Sequence, residues 1–174
     1  EEACILHLAP TTSTTAQIAM GDALAVSLMQ QRGFTSVDFA RLHPGGSLGR
    51  RLLMTVGNVM RDHDLPVVGP DCSVVEMIHT ISKGGLGLIV ICDGDRIEGI
   101  VTDGDVRRAM ERLKGDFFNI RARDIATPHP KTIGTGEKLI EAERVMTRNK
   151  ITSLLVTDGD GKLAGVIQIY DIKL

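Results

Sequence analysis

The sequence predicts an α/β (α+β) fold in which two consecutive helix–strand–strand–helix repeats follow a helical segment. From about residue 56 onward, the 174-residue chain repeats its own pattern at a spacing of 65 or 66 positions. Each repeat contains two largely apolar runs of strand length, which are typical of buried strands. Repeats of about 60 residues bury little surface on their own, so we expect the two to share a core.

The first third of the chain predicts one long helix. The hydroxyl cluster at residues 11–15 suits a helix N-terminus, and the helix is expected to run from about residue 14 to 32 and to end at Gly33. Its apolar residues lie on more than one side, which predicts burial on two faces. We therefore expect this segment, which begins without Met in an apolar run, to belong to a larger domain or to pack on another subunit.

The first repeat begins with a helix. Ser73 and Glu76 fit a capping box, and Val75, Ile78 and Ile81 mark the predicted apolar face. The pattern then predicts a strand at 88–92, a hairpin turn at Asp93 and Gly94, a strand at 97–101 and a helix at about 103–113.

The second repeat follows the same order. Its helix has Leu139, Ala142 and Met146 on one face. Its strands are predicted at 153–156 and Leu163–Gln168, and the turn between them is one residue longer than the first turn.

The composition excludes several classes of protein. The chain has 20 basic and 22 acidic residues and a net charge of −2, so it lacks the positive charge of a nucleic-acid-binding protein. One Tyr, four Phe and no Trp provide few aromatic rings on which bases could stack, so we predict no nucleic-acid binding. No apolar run approaches the roughly 20 residues of a membrane-spanning helix. Three Cys without a CxxC pair indicate reduced thiols, and the N-terminus has no basic leader, so a cytoplasmic protein is predicted.

The sequence predicts no metal site and no cofactor. Residues 158–161 resemble the start of a calcium loop, but Ile169 occupies the position where such a loop has a bidentate Glu. The five His residues are scattered without Cys or carboxylate partners at zinc-binding spacing.

Two segments with one pattern carry a resemblance to a known family. Residues 99–105 and 165–171 each contain Gly, two apolar residues, a polar residue, two variable residues and Asp. They resemble the closing motif of cystathionine-β-synthase (CBS) repeats, and a tandem pair of these repeats is called a Bateman module. The resemblance implies clefts between the repeats that bind adenine nucleotides and related ligands, and it implies a tendency to dimerise.

The motif implies ligand-binding roles for Thr102, Asp105 and Asp171. In the family pattern the Asp carboxylate accepts hydrogen bonds from ribose hydroxyls, and the Thr hydroxyl contacts phosphates. Thr102 and Asp105 also fit a capping box, so a structural role explains them equally well. Gln168 replaces Thr in the second motif, and we therefore expect unequal clefts, of which the one at Thr102 and Asp105 is better formed.

The first third resembles one family in particular, the D-arabinose 5-phosphate isomerases that start Kdo synthesis for capsule and lipopolysaccharide. These proteins have a sugar isomerase (SIS) domain followed by a CBS pair. The segments that carry the resemblance are 2–4, 8–15, 20–25 and 43–50. The resemblance implies the C-terminal helical part of a SIS domain at 1–52, the first CBS repeat at 53–116 and the second at 117–174.

Two residues, Glu2 and His43, match catalytic positions of that family. Moving a proton between adjacent carbons of a sugar phosphate needs a positioned base and stabilisation of an enediolate. A His titrates near neutral pH, which suits ring opening or proton transfer. The alternatives are a solvated carboxylate near the terminus and a loop imidazole bonded to backbone.

The resemblance therefore implies a fragment of an enzyme that interconverts D-ribulose 5-phosphate and D-arabinose 5-phosphate, and we expect the fragment alone to be inactive. The implied partners are the sugar phosphate and a regulatory nucleotide or nucleotide-sugar at the CBS pair, for example a CMP-activated sugar. A homo-oligomer is also implied. The alternative is a CBS pair with empty clefts that serves only as a structural or oligomerisation module.

Overall fold

The chain divides into two compact units, Glu1–Gly49 and Arg50–Leu174. In this computed structural model the described residues are 1–6, 8–43 and 46–172, with Ser47 and Leu48 described by their backbone alone.

The first unit is helical. Its helices are α1 (Thr12–Gln31), α2 (Ser36–Leu42) and the beginning of α3 (Ser47–Leu53). The predicted end of α1 is confirmed. Gly33 adopts a φ of +59°, and the amides of Gly33 and Phe34 donate back to carbonyls of the last helical turn in a Schellman arrangement.

Helix α1 is solvent-exposed within the part of the chain that the structure describes. None of its residues is buried, and Ile18, Met20 and Leu24 expose 67%, 71% and 62% of their surface. The predicted burial on two faces is therefore not met within this chain. Pro44 and Gly45, residue types that indicate a loop after α2, lie outside the described residues.

The second unit contains two repeats of the predicted order, and the helix face predicted at Leu139, Ala142 and Met146 is confirmed. The first repeat and the segments around it contain a 3₁₀ turn (Val56–Asn58), β1 (Val67–Val68), α4 (Val74–Gly84), β2 (Leu88–Asp93), β3 (Arg96–Thr102), α5 (Asp103–Leu113) and a second 3₁₀ turn (Lys114–Asn119). The second repeat and its leading segment contain α6 (Ala122–Ile125), β4 (Thr127–Pro128), β5 (Thr132–Gly134), α7 (Leu139–Asn149), β6 (Ser153–Thr157), β7 (Leu163–Gln168) and α8 (Ile169–Ile172).

Each repeat forms a small sheet. The first sheet has the strand order β1-β2-β3-β4 and the second has β5-β6-β7. In both sheets the short first strand runs parallel to the central strand, and the central strand is antiparallel to the strand that follows it. The pairing agrees residue by residue, because Leu88 lies opposite Thr102 and Ser153 lies opposite Gln168. The two repeats are therefore related by a pseudo-symmetry that extends to single positions.

The segment that leads into each repeat pairs with the sheet of the other repeat. Thr127, which precedes the second repeat, lies opposite Ile100 in β3. Arg61, which precedes the first repeat, exchanges two backbone hydrogen bonds of 2.9 and 3.0 Å with Val166 in β7. This exchange of segments ties the two repeats to each other.

The cores explain why residues 88–91 of the central strand β2 are apolar without interruption. Ile89 packs with the helices of its own repeat, whereas Leu88 and Val90 form a buried cluster with Leu155 and Val166 of the second repeat. Successive side chains of a strand point to opposite faces, so a strand covered on both faces has no position for a polar residue. The expected shared core is confirmed.

One predicted helix face is wrong at two of its three positions. Helix α4 buries Val74, Met77 and Ile81, so Ile81 is buried as predicted, whereas Val75 and Ile78 are exposed. At the other two positions the observed stripe and the predicted one differ by one residue along the chain, about 100° around the helix. Both are apolar, so periodicity alone did not distinguish them.

Candidate functional site

The glycines that open the two motifs allow the exchanged segments to approach the sheets closely. A Cβ at Gly99 would lie 2.9 Å from the carbonyl oxygen of Thr127, and a Cβ at Gly165 would lie 2.7 Å from that of Arg61. Any side chain at these positions would push the neighbouring backbone away, because a close-packed interior has no room for such overlap. The motif glycines therefore fix the positions of Thr127 and Arg61 beside the two sheets.

A cleft of about 510 Å³ lies between the two repeats, and Leu88 and Leu155 of the shared core form part of its wall. This volume falls within the range of about 300–1,000 Å³ that is usual for small-molecule sites. The residues that line it are 86–88, Ile100, Thr102, Thr127, 129–131, 149–153 and Leu155.

The lining is cationic and rich in hydroxyls, and it contains no carboxylate. Lys131 and Lys150 contribute ammonium groups and His129 an imidazole. In the described part of the chain, neither lysine forms a salt bridge. An anion with an apolar portion and several hydrogen-bonding groups matches this lining.

Thr102 lines the cleft, whereas Asp105 does not. The Asp105 carboxylate accepts hydrogen bonds from the amide and the hydroxyl of Thr102 at 2.9 and 2.6 Å, and from the Arg108 guanidinium at 2.6 Å. The Asp105 amide donates to the Thr102 hydroxyl at 3.3 Å, which completes a capping box for α5. Burial alone raises the pKa of Asp105, but the hydrogen bonds from Thr102 and Arg108 outweigh it and hold the pKa below its usual value.

The second motif uses its Asp in a similar way. The Asp171 carboxylate accepts a hydrogen bond from the Gln168 amide at 2.7 Å. The Gln168 side chain donates to the Leu86 carbonyl at 3.1 Å and to the Ser153 hydroxyl at 3.0 Å, so it reaches from the second repeat to the first. Neither Asp171 nor Gln168 lines the 510 Å³ cleft.

Glu2 caps the N-terminus of α1. Its carboxylate accepts hydrogen bonds from the amide and hydroxyl of Thr11 at 2.6 and 2.9 Å, and from the Ser13 amide at 3.4 Å. Hydrogen bonds from Ser13 and Thr11 lower the pKa of Glu2 to about 2. The predicted hydroxyl cap is therefore wrong in detail, because the N-cap residue Thr11 makes no side-chain cap bond and Glu2 takes that role.

His43 lies at the C-terminal end of α2 and is exposed. Its ring stacks on Phe39 with a centroid distance of 4.5 Å, and its Nδ1 lies 3.4 Å from the Phe39 carbonyl oxygen. That oxygen can only accept, so the contact favours the tautomer with a proton on Nδ1 and leaves Nε2 as an acceptor. Among the described residues, no hydrogen bond or ion pair joins His43 to Glu2.

Sequence reasoning missed the cations of the cleft. Lys131, Lys150 and His129 belong to none of the motifs, and they reach the cleft only because the second repeat packs against Thr102 of the first. An alignment of the two repeats, position by position, could have found these residues. It shows that the second repeat and its leading segment have cations at positions where the first repeat has none.

Other features of the described residues do not add a site. No helix among them combines the length and the apolar character needed to cross a membrane. The same residues contain no cluster of three or more His, Cys, Asp and Glu side chains that could hold a metal ion. Burial raises the pKa of the Cys72 thiol to about 11, so this thiol is not a reactive nucleophile.

Known proteins match both the repeats and the preceding segment. The family model described as CBS domain matches residues 56–112 and 122–173. The chain is 45% identical over 174 residues to arabinose 5-phosphate isomerase KdsD of Yersinia pestis and 44% identical over 171 residues to arabinose 5-phosphate isomerase KpsF of Escherichia coli. These alignments cover 99% and 98% of the chain but 52% of each relative, so the chain spans about half their length. The predicted resemblance to these isomerases is confirmed.

Solved structures of CBS proteins share the fold of the repeat pair. CBSX2 from Arabidopsis thaliana in complex with AMP matches with a TM-score of 0.59 and 26% identity, over 68% of this chain and 92% of that protein. A CBS domain protein from Pyrobaculum aerophilum complexed with AMP matches with a TM-score of 0.61 and 21% identity, over 68% and 89% of the two chains. The second likeness supports the fold alone. The predicted fold class is confirmed.

Proposed function

Because the chain belongs to the CBS domain family, we propose that its repeat pair binds an adenine nucleotide or a related nucleotide-sugar in the cleft lined by Thr102. The lining of that cleft carries the proposal: Lys131 and Lys150 suit phosphates, and apolar walls such as Ile100 suit a base. CBSX2, which has been solved with AMP, supports the same class of ligand. A CMP-activated sugar has the same combination of phosphate, base and hydroxyl groups.

Calorimetric titration with AMP, ATP and a CMP-activated sugar tests this proposal. At least one is expected to bind. Lys131→Ala or Lys150→Ala is expected to weaken it by about tenfold or more, since a hydrogen bond to a charged group contributes roughly 1.5–3 kcal/mol and tenfold is about 1.4 kcal/mol. Arg148→Ala is the matched control, because it removes an exposed cation next to the cleft that does not line it. Absence of binding by all three ligands, or equal weakening in the control, contradicts the proposal.

We further propose that the chain is part of an enzyme that interconverts D-ribulose 5-phosphate and D-arabinose 5-phosphate. The support is its similarity to isomerases of that name over 98–99% of its length. In this reaction a base removes a proton from the carbon next to the carbonyl, and the resulting enediolate is protonated at the neighbouring carbon. No redox cofactor is needed, because the two sugars are isomers.

His43 is the proposed proton-transfer group. With Nδ1 directed at the Phe39 carbonyl, its Nε2 can take the proton or assist ring opening. Glu2 is the proposed second catalytic residue. A pKa of about 2 suits a carboxylate that stays ionised through the reaction, and it does not suit the group that carries the proton at neutral pH.

Substitution in the whole enzyme tests the two assignments. His43→Ala is expected to lower the isomerisation rate by at least about tenfold, whereas the control His79→Ala, at an exposed position on α4, leaves it unchanged. Glu2→Gln keeps a carbonyl oxygen that can still accept the helix amides but removes the charge. A catalytic Glu2 predicts a slower reaction in an enzyme that circular dichroism shows to be folded, although loss of the capping charge is expected to lower its thermal stability. A near-normal rate in either variant contradicts the corresponding role.

A structural or oligomerisation module is the second candidate for the CBS pair. The capping of α5 by Asp105 favours it, since this carboxylate is fully used within the chain. Under this alternative, titration produces no binding heat, and Asp105→Ala lowers thermal stability without altering any response of the isomerase to nucleotides. A sensor instead predicts that the bound nucleotide changes the isomerisation rate.

A further inference from the structure

The pseudo-symmetry of the repeats locates a second cleft residue by residue. Thr127 lies opposite Ile100 in the first sheet, and Arg61 lies opposite Val166 in the second. Because Ile100 and Val166 are equivalent positions of the two motifs, Arg61 occupies the place that Thr127 has beside the open cleft.

Arg61 bridges a gap that is open in the first cleft. Thr127 and Asn149 both line the open cleft. Their equivalents are Arg61 and Gly84, because Gly84 ends α4 as Asn149 ends α7. The Arg61 guanidinium donates a 2.5 Å hydrogen bond to the Gly84 carbonyl and further bonds of 3.1 and 3.3 Å to the carbonyls of residues 63–64.

Gln168 bridges the other gap. Thr102 and Ile151 line the open cleft from its two repeats. Their equivalents are Gln168 and Leu86, because Leu86 follows the C-cap of α4 as Ile151 follows that of α7. The side-chain amide of Gln168 donates to the Leu86 carbonyl at 3.1 Å, so a direct hydrogen bond lies where the first cleft is open.

The cations that line the open cleft have no basic counterparts at the second location. Lys131 and Pro66 are equivalent, since the carbonyl of each accepts a hydrogen bond from the central strand of its sheet. Lys150 and Gly85 are equivalent left-handed C-caps, and the left-handed residue His129, with φ +52°, corresponds to Asp64, with φ +48°. The cation that the second location does have is Arg61, whose guanidinium already donates to three backbone carbonyls.

We infer that Arg61 and Gln168 close the second cleft from within, so that each chain takes one nucleotide-type anion, in the cleft of Thr102. The identity of the ligand rests on the proposed function, whereas the closure rests on the contacts of Arg61 and Gln168 alone. The single occupancy follows from this closure.

Equilibrium dialysis with labelled AMP, carried to saturation, measures the stoichiometry directly. The wild-type chain is expected to bind one equivalent. Arg61→Thr with Gln168→Thr removes both bridges and is expected to add a second equivalent, which is weaker because Pro66 and Gly85 stand where the first cleft has lysines. The reciprocal change, Thr127→Arg with Thr102→Gln, is expected to weaken binding by about tenfold or more, which is about 1.4 kcal/mol or more.

Several outcomes overturn the inference while leaving nucleotide binding intact. The first is that the wild type binds two equivalents of AMP. The second is that the Arg61→Thr and Gln168→Thr variant folds but still binds only one equivalent. The third is that the Thr127→Arg and Thr102→Gln variant still binds AMP with wild-type affinity. If the Arg61→Thr and Gln168→Thr variant does not fold, the AMP affinity of the Thr127→Arg and Thr102→Gln variant still tests the inference.

A ligand-independent measurement separates this inference from the proposed function. If AMP does not bind to the wild type, the proposal for AMP fails, and the closure is tested by the rate at which phenylglyoxal modifies individual arginines. Arg61 is expected to react more slowly than Arg107, which is exposed and forms no salt bridge among the described residues. Equal modification rates for Arg61 and Arg107 overturn the closure.

Discussion

Gly165→Ala tests whether the exchanged segment holds the two repeats together. A Cβ at this position would lie 2.7 Å from the Arg61 carbonyl oxygen and 2.8 Å from the Met60 sulfur. The Met60 side chain can turn away, but the Arg61 carbonyl belongs to a backbone that exchanges hydrogen bonds of 2.9 and 3.0 Å with Val166. The added methyl group must therefore displace this backbone from the sheet.

The size of the effect follows from the two hydrogen bonds. Favourable contact between heavy atoms begins near about 3.5 Å, so the segment has to move by more than half an ångström, which is enough to break both bonds. Two such bonds contribute about 0.5–1.5 kcal/mol each, which gives a loss of about 1–3 kcal/mol, and overpacked sites lose about the same amount. For a chain of this length the unfolding midpoint is expected to fall by roughly 2–12 °C.

Urea and thermal unfolding followed by circular dichroism measure this loss. Gly136→Ala is the matched control, because a Cβ at Gly136 meets nothing within 4 Å. The control is expected to stay within about 0.5 kcal/mol of the wild type. If Gly165→Ala is as stable as Gly136→Ala, the close approach of Arg61 does not hold the repeats together and the reasoning is refuted.

Three further changes follow from the same structure. Gly99→Ala displaces Thr127, so it is expected to weaken AMP binding in calorimetry as well as lower stability, and an unchanged affinity would contradict this. Asp105→Asn is expected to destabilise the chain at pH values above the ordinary Asp pKa of 3.8, because folding lowers the pKa of Asp105. Urea unfolding at several pH values should show that the difference in unfolding free energy between variant and wild type shrinks as the pH falls below 3.8. A difference that does not change with pH would count against this prediction. Leu155→Ala, at a position only 2% exposed between the sheets, is expected to lower the free energy of unfolding by about 2–5 kcal/mol in urea titration, and a loss within experimental error would refute the shared core.

The strands could be predicted because a strand covered on both faces leaves a continuous apolar run. The second strand of the second repeat is predicted and found at Leu163–Gln168. Helix α4 was harder, since Val75 and Ile78 form a stripe as apolar as that of Val74 and Met77. Tertiary packing decides which stripe is buried, and the sequence pattern does not contain that information.

Only those residues of the candidate site that belong to a continuous sequence motif could be predicted. Thr102 follows from seven consecutive residues, whereas Lys131 and Lys150 reach the cleft through the packing of one repeat on the other. Glu2 shows the same limit. Its carboxylate accepts hydrogen bonds from Ser13 and Thr11, which lie 11 and 9 positions further along the chain, and these contacts lower its pKa.

In a fold built from two equivalent repeats, a few substitutions are enough to leave one cleft open and close the other. The backbone pairing is equivalent in both repeats, and the motif glycines hold both exchanged segments in place, so the difference lies in side chains. Arg61 joins its segment to the end of α4 through the Gly84 carbonyl, and this contact occupies the space between a linker and a helix end. Between Thr127 and Asn149 the same space is empty of protein, and an anion bound there would join the other linker to the end of α7. By the inference above, Arg61 closes one half of the pair without a ligand, whereas the other half stays open until the proposed nucleotide binds. A fold built on two equivalent repeats would then respond to a single ligand.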